Sequence, residues 1–348
     1  NEHLAYKGGV ETYLLGLLPR LGARGVNSVF AYAEGDETLH DAVVQTPSIG
    51  TAGFRAERSA YREMEALLTK KQPDVIHIHN IQNIGPLQAA FEYGPTVLTT
   101  HDYRWVCPAN SFFYKRTQEV CERTCGLGCF TTTLTKRCVT PRPQYAGYFY
   151  RRAKWAVQHA RCFDRVIAPS RGARDKYATS GFEGASLSVI PYFCTLEPRD
   201  TPRPVPTRPT ITFLGRIASN KGHEYFVDAL GHLDDDVQGV MVGSIGEGDA
   251  HMLRERAARA GCADRLTLHG WASREEVLDL FDRTSVFFFS SLWPETLGIV
   301  GIEALSRGVP VIASDLGGVG EWCIEGETGF PVPPKDAKAI ADRVGNLL

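Results

Sequence analysis

Along this chain, short apolar runs rich in β-branched residues alternate with stretches whose apolar positions recur every three or four residues. The runs "DVIHIHN" (74–80), "TVLTTHD" (96–102) and "DRVIAPS" (164–170) read as buried parallel strands that end in polar residues. A second series follows: "ITFLGRI" (211–217), "QGVMVGS" (238–244), "RLTLHGW" (265–271), "SVFFFSS" (285–291) and "VPVIASD" (309–315). Helical periodicity predicts helices over 10–23, 57–70, 222–231, 249–260, 273–282, 299–307 and 335–347. Strand–helix alternation of this kind predicts an α/β protein built from two doubly wound domains. Between the two series lies "EPRDTPRPVPTRPT" (197–210), whose five prolines forbid a helix or a central strand. The expected organisation is therefore a first domain over 1–196, a linker over 197–210 and a second domain over 211–348.

Bulk properties narrow this picture. A chain of 348 residues is long for one core, and 43% hydrophobic with 22% charged residues is ordinary globular composition. A formal net charge of −2 gives no support for a nucleic-acid partner. No run of 18 apolar residues offers a membrane span. The chain starts at Asn1 and shows no signal peptide, and both ends read as slightly trimmed. The expected compartment is cytoplasmic.

In open α/β sheets ligands gather beyond the carboxyl ends of the strands. Those ends carry His101–Asp102, Gly215–Arg216, Gly243–Ser244, Ser290–Ser291 and Ser314–Asp315. Two such edges facing one another would make a cleft, which suits a two-substrate enzyme. "FLGRIASNKG" (213–222) sets Arg216 and Lys221 on one strand-to-helix loop. A guanidinium and an ammonium there suit a diphosphate, although two solvated surface cations account for the pattern equally well.

"WPETLGIVGIEAL" (293–305) poses a sharper problem, because Glu295 precedes an apolar helix and Glu303 sits inside it. A buried carboxylate costs several kcal/mol unless paired. Backbone N–H groups at Thr296, Leu297 and Gly298 open onto a helix N-terminus, which is an anion site. Glu303 can accept from both hydroxyls of a vicinal diol such as a ribose, or it pairs with a structural arginine. "GGVETY" (8–13) places Gly8 and Gly9 before a helix, where backbone can approach a ligand closely. "TTHDY" (99–103) puts His101 at the end of a buried strand.

Taken together, the Arg-x4-Lys and Glu-x7-Glu spacings, "GGVGEW" (317–322), the Gly pair and the strand-end histidine resemble the retaining GT-B glycosyltransferases of family 4. The resemblance runs over essentially the whole chain. One departure is Thr296–Leu297 after Glu295, where the family more commonly has Phe or Ser followed by Phe.

The resemblance implies two Rossmann-like domains, an acceptor-side one and a nucleotide-sugar one. It also implies a donor of the UDP- or GDP-sugar class, with the pyrophosphate on Arg216, Lys221 and the backbone of Leu297 and Gly298. Glu303 would hold the ribose and Glu295 the sugar hydroxyls. His101 would lie against the reacting face, with Gly8 and Gly9 over the phosphates. Base contacts would come from backbone near Gly243–Ser244 and His269–Trp271, with Gly215 at the strand end. Transfer would retain configuration without a divalent metal, because two cations and a helix N-terminus already meet the leaving charge. A GT-B-fold sugar-nucleotide epimerase and a non-catalytic sugar-nucleotide-binding protein are the alternatives. The acceptor would be a glycan, a lipid-linked species or a small molecule, as in polysaccharide assembly.

Two further segments stand out. Residues 107–138 form a Cys-rich insert in which Cys121, Cys125, Cys129 and Cys138 follow Cys107. Four thiolates around a structural Zn²⁺ would order so long a loop, with an iron–sulfur cluster or free thiols as competing readings. "YAGYFYRRAKWAV" (145–157) mixes five aromatic residues with Arg151, Arg152 and Lys154. Such a helix either lies on an anionic membrane at its inner face or packs its aromatics inward.

Overall fold

The structure, a computed structural model, describes residues 1–5 and 8–348. It divides into two compact units: Asn1–Thr117 with Cys121–Thr195, and Gln118–Val120 with Leu196–Leu348.

The first unit is built on a four-stranded parallel sheet of β1 (Ile76–Ile78), β2 (Thr96–Thr99), β3 (Arg165–Ala168) and β4 (Leu187–Val189), in the order β4-β3-β2-β1. Its helices are α1 (Gly9–Gly22), α2 (Glu57–Lys71), α3 (Gly85–Tyr93), α4 (Gly128–Lys136), α5 (Pro143–Gln158) and α6 (Arg171–Tyr177). Short strand pairs join His3–Leu4 to Glu34–Gly35 and Phe30–Tyr32 to Val43–Gln45.

Helix α3 was not in the predicted set, since "GPLQAAFEY" opens on two breakers. It forms because Pro86 is tolerated in a first helical turn and because Leu87, Ala89 and Ala90 are buried. Gly85 lets it pack on α2, since a Cβ there would lie 2.3 Å from the Glu57 carbonyl oxygen.

The aromatic–basic segment forms helix α5. Tyr148, Arg152, Ala153 and Ala156 are buried, and Arg151 is forked onto Glu57. The Arg152 guanidinium donates to Gln82 Oε1 at 3.0 Å and to Asn110 Oδ1, and lies 4.9 Å from the centre of the Phe149 ring. A cation so enclosed is not presented to a membrane. Of the helix's aromatic residues Tyr148 is buried and Tyr145, Phe149, Tyr150 and Trp155 are half-buried, so this side of the helix packs against its own unit.

The second unit carries a six-stranded, all-parallel sheet. Its strands are β5 (Thr210–Leu214), β6 (Gln238–Val242), β7 (Leu266–Gly270), β8 (Val286–Phe289), β9 (Val311–Ser314) and β10 (Gly329–Val332), ordered β7-β6-β5-β8-β9-β10. Every residue of β8 and β9 is buried, as in a sheet covered by helices on both faces. The covering helices are α7 (His223–Leu230), α8 (Glu247–Arg259), α9 (Arg274–Arg283), α10 (Ile299–Ser306) and α11 (Ala337–Gly345). The core gathers Phe213, Phe226, Met241, Leu253, Phe288 and Ile340.

Strand β10 escaped prediction because it holds Gly329 and Pro331. It sits at the sheet edge, where a missing N–H is tolerated. The proline-rich segment 197–210 is pinned rather than free. Arg199 pairs with Asp282 at 2.6 Å, Arg203 donates to the Thr284 carbonyl, and Arg307 donates to the Glu197 carbonyl at 3.4 Å. Among the described residues no helix is long and apolar enough to cross a membrane.

Candidate active site

In the second unit the chain starts at β5, proceeds outward to β6 and β7, and returns to the other side of β5 through β8. The order of connection therefore reverses between β5 and β8, the place where open α/β sheets leave a crevice at their carboxyl ends. The residues singled out from sequence in this unit cluster there.

Glycines end β5, β6 and β7. The Gly215 N–H donates to the Val242 carbonyl at 2.9 Å and the Gly243 N–H to the Gly270 carbonyl at 2.7 Å. Gly243 has φ +150°, and a Cβ on it would fall 1.9 Å from the Gly215 carbonyl oxygen, so no other residue fits. The result is a strip of bare backbone across three strand ends. Arg216 leaves that strip exposed, and among the described residues none takes its guanidinium. Trp271 follows Gly270 and is 64% exposed, which leaves its ring face available for stacking.

Lys221 and Glu295 occupy the two sides of the reversal point. The Glu295 carboxylate is buried, and its Oε1 accepts from the Lys221 ammonium at 2.5 Å, from Trp293 Nε1 at 2.7 Å and from the Ser291 hydroxyl. Lys221 in turn lies 5.5 Å from the centre of the Trp293 ring. One oxygen of Glu295 is thus held by three protein donors, partners that its place in the sequence did not show. The loop carrying Lys221 is clamped to β8's exit. Ser290 donates to the Lys221 carbonyl at 2.7 Å and the Leu292 N–H to the Asn220 carbonyl at 2.9 Å. Gly222, at φ +63°, is needed because a Cβ would lie 2.1 Å from the Ser290 carbonyl oxygen.

The start of α10 is shaped by tryptophan. Gly298 takes φ +90° as the residue before the helix and, lacking a side chain, leaves the helix start without a side-chain cap. The Trp322 indole N–H donates to the Leu297 carbonyl, and its ring lies where a Cβ on Gly301 would be, 2.2 Å away. The "GGVGEW" segment also holds Glu295 through its backbone, the Gly318 N–H donating to the Glu295 carbonyl at 2.8 Å. Thr296 and Leu297 are buried in this loop, and Glu303 is half-buried on α10.

In the first unit, His101 follows β2 and joins a stack that the sequence reading did not assemble. Its Nε2 is 2.8 Å from His79 Nδ1 and its Nδ1 is 2.7 Å from the Tyr192 hydroxyl. His77 extends the row, 4.1 Å from His79 between ring centres, and meets the Thr99 hydroxyl at 2.7 Å. Burial pushes the His101 imidazole down to about 3 and His79 well below the ordinary histidine range, so both rings are uncharged at neutral pH. Next to them, burial alone would raise Asp102. Arg104, forked on it at 2.8 and 3.0 Å, instead holds it below the usual carboxylate range. The spacing of two between His77 in β1 and His79 just after it was the available signal, since it places both on one face. Gly8, extended at φ −175°, precedes α1 and Gly9 begins it. The Thr12 hydroxyl donates back to the Gly8 carbonyl at 3.0 Å.

In the Cys-rich insert, Cys107, Cys121, Cys125, Cys129 and Cys138 line one pocket beside α4. Among the described residues no three His, Cys, Asp or Glu side chains are placed to hold an ion. Cys138 Sγ lies 3.8 Å from the hydroxyls of Thr132 and Thr133, and the Cys125 thiol is hydrogen-bonded to the sulfur of Cys129.

A two-unit α/β chain with basic groups and a helix start at the reversal point has the architecture of doubly wound ligand-binding folds, and comparison with known proteins narrows it. Residues 7–197 match Glycosyltransferase Family 4 and residues 197–348 match Glycosyl transferases group 1. The chain belongs to glycosyltransferase family 4, with the GT-B type of fold. An alpha-D-kanosaminyltransferase of Streptomyces kanamyceticus is 33% identical over 142 residues, 40% of this chain and 36% of its own. A GDP-mannose-dependent alpha-(1-6)-phosphatidylinositol monomannoside mannosyltransferase of Mycobacterium tuberculosis is 30% identical over 203 residues, 53% of this chain and 52% of its own. The chain thus matches about half or less of the length of these relatives. Among solved structures, the Anabaena protein HepE in complex with UDP and glucose superposes with a TM-score of 0.71 at 18% identity, covering 98% of this chain and 88% of its own. A sucrose-phosphate synthase from Thermosynechococcus elongatus gives 0.71 at 20% identity, covering 99% and 85%.

Proposed function

We propose that this protein transfers a sugar from a nucleotide-diphospho-sugar to a glycan, lipid-linked or small-molecule acceptor, with retention of anomeric configuration. The observation that carries the reading is the Lys221–Glu295 pair beside the uncapped start of α10, at the strand-order reversal of the second unit.

The leaving group of such a donor is a nucleoside diphosphate, and negative charge grows on it as the glycosidic bond breaks. The Lys221 ammonium, the Arg216 guanidinium and the backbone N–H groups at Leu297 and Gly298 are fixed donors for that charge. The glycine strip at Gly215 and Gly243 lets the diphosphate and nucleoside lie against bare backbone, with Trp271 at its end. Glu303, inside α10, takes the ribose diol. Glu295, already oriented by Trp293 and Ser291, presents its second oxygen to hydroxyls of the donor sugar. His101, uncharged and with both ring nitrogens held by His79 and Tyr192, adds no charge to the transfer. We assign no protein nucleophile and no metal to the transfer.

A nucleotide donor is supported by the relatives named for GDP-mannose and by the fold neighbour bound to UDP. Relatives named for phosphatidylinositol mannosides support a lipid-linked acceptor, which would bring the chain to a membrane surface.

The test is a thermal-shift screen of UDP- and GDP-sugars followed by product analysis with an acceptor panel. A stabilising donor, and a product of the donor's own anomeric configuration, are expected. A protein stabilised by no sugar nucleotide, or an inverted product, would sink the reading.

A further inference from the structure

Helix α4 has its amphipathic faces reversed. Its buried residues are Thr132 and Thr133, whose hydroxyls donate to the Cys129 carbonyl at 3.2 and 2.8 Å. Its large apolar side chains face water instead: Leu127, the residue before the helix, is 79% exposed, Phe130 41% and Leu134 70%. Positions 127, 130 and 134 follow the i, i+3, i+7 spacing, so the three make one stripe along the helix. Phe130 anchors that stripe to α5, its ring centre 4.6 Å from that of Tyr150. Contiguous apolar surface left in water marks a place of interaction.

Cations bracket the stripe. At its N-terminal end a Cβ on Gly128 would lie 2.5 Å from the Arg123 guanidinium, so that cation sits against the first turn. At the other end the Arg116 N–H donates to the Lys136 carbonyl at 3.1 Å, and its guanidinium donates to the Thr135 carbonyl at 3.3 Å. Lys115 and Arg137, the neighbours of these residues in the chain, are exposed. Glu119 and Glu122 are the carboxylates of segment 107–138, Glu122 is paired with Lys176 at 2.9 Å, and residues 139–158 hold none. The segment around α4 is thus positive in a chain whose formal net charge is −2.

We propose that α4 docks the protein on a bilayer that carries anionic lipid headgroups. Leu127, Phe130 and Leu134 enter the boundary between headgroups and acyl chains, and Lys115, Arg116, Arg123 and Arg137 meet the headgroups. The inference rests on this surface of the first unit alone and holds whatever sugar is transferred.

Size and charge select this occupant. Three side chains fall short of the roughly 800 Å² per partner that a stable protein interface buries. A bilayer asks only for apolar side chains that enter it and cations that stay at its surface. Each cation near an anionic leaflet strengthens binding roughly fivefold.

The test floats the intact chain with vesicles of phosphatidylcholine alone and of phosphatidylcholine mixed with phosphatidylglycerol. Wild-type protein is expected to rise with the mixed vesicles and stay behind with the neutral ones, and added salt should release it. Leu127→Ser with Leu134→Ser should weaken binding to the mixed vesicles at least about tenfold, since each leucine kept out of lipid forfeits its burial. Lys115→Glu with Arg137→Glu should abolish the preference for the mixed vesicles. All four side chains are exposed, so both variants should unfold in urea at the wild-type midpoint. Wild-type protein that ignores the mixed vesicles would overturn the proposal, as would a Leu127→Ser, Leu134→Ser protein that binds them as well as wild type. If that variant instead turns a vesicle-free dimer into a monomer, a second copy covers the stripe and the bilayer is the wrong occupant. Thermal shifts with sugar nucleotides should be equal in all three proteins, so the donor reading stands or falls on its own result.

Discussion

The Lys221 ammonium stands 2.5 Å from Oε1 of Glu295 across 74 residues of chain, because the two follow β5 and β8, neighbouring strands of one sheet. The pair has two roles to reconcile. It stabilises a buried carboxylate, and it keeps an ammonium aimed at the place where a diphosphate would arrive.

Removing the ammonium separates these roles. Lys221→Ala leaves Glu295 with Ser291 and Trp293 as donors but no charge partner, and stability should fall by about 1–3 kcal/mol. Donor turnover should fall about 100-fold or more, as for loss of a donor to a developing anion. Urea unfolding and initial rates measure the two effects. Unchanged turnover in a folded Lys221→Ala protein would take Lys221 out of the chemistry.

Glu303 tests the nucleoside end. Glu303→Ala should raise the donor KM by roughly 10- to 100-fold, the worth of charge-assisted hydrogen bonds to a diol. The acceptor KM should stay where it was. A donor KM equal to wild type would return Glu303 to a structural role.

The buried histidine row makes stability depend on pH in a definite direction. His101 is pushed down to about 3, so between about 6.5 and 3 the unfolded chain binds a proton that the folded ring refuses. Stability therefore falls as pH drops through that window, by about 1.4 kcal/mol per pH unit for each such histidine. His101→Asn should flatten the slope between pH 6.5 and 4.5 in urea unfolding and should lower kcat. A slope unaltered by the substitution would contradict the burial argument.

Gly301 and Trp322 should be energetically coupled. A Cβ on Gly301 would lie 2.2 Å from the indole, so Gly301→Ala should cost about 1–3 kcal/mol by overpacking. In a Trp322→Leu background the same substitution should cost markedly less. Additive losses in the double mutant would show that the contact is not what demands glycine.

Much of the fold was legible in the chain because parallel strands buried on both faces must be continuously apolar. "VFFF" and "VIAS" announce themselves for that reason. Two of the edge strands escape this rule: β10 carries Gly329 and Pro331, and β4 covers only three residues. Helix α3 hid behind its Gly-Pro start. The aromatic–basic helix α5 showed its period but not its facing, and only packing revealed that Arg152 points inward to Gln82 and Asn110.

The candidate site divides in the same way. Arg216, Lys221, Glu295 and Glu303 stand out by type and spacing, since each is a polar residue at an apolar strand end or helix, and local chemistry suffices to question it. That Glu295 answers to Lys221, Ser291 and Trp293 could not be read, because the contact depends on β8 lying beside β5. Likewise His79 meets His101 only because β1 and β2 are adjacent. Periodicity and turn chemistry act over a few residues, so the chain by itself determined its elements, its two-part organisation and its chemically exceptional positions. Pairing across tens of residues is set by strand order and close packing. Only the tertiary structure decided which of those positions neutralise, orient or bury one another.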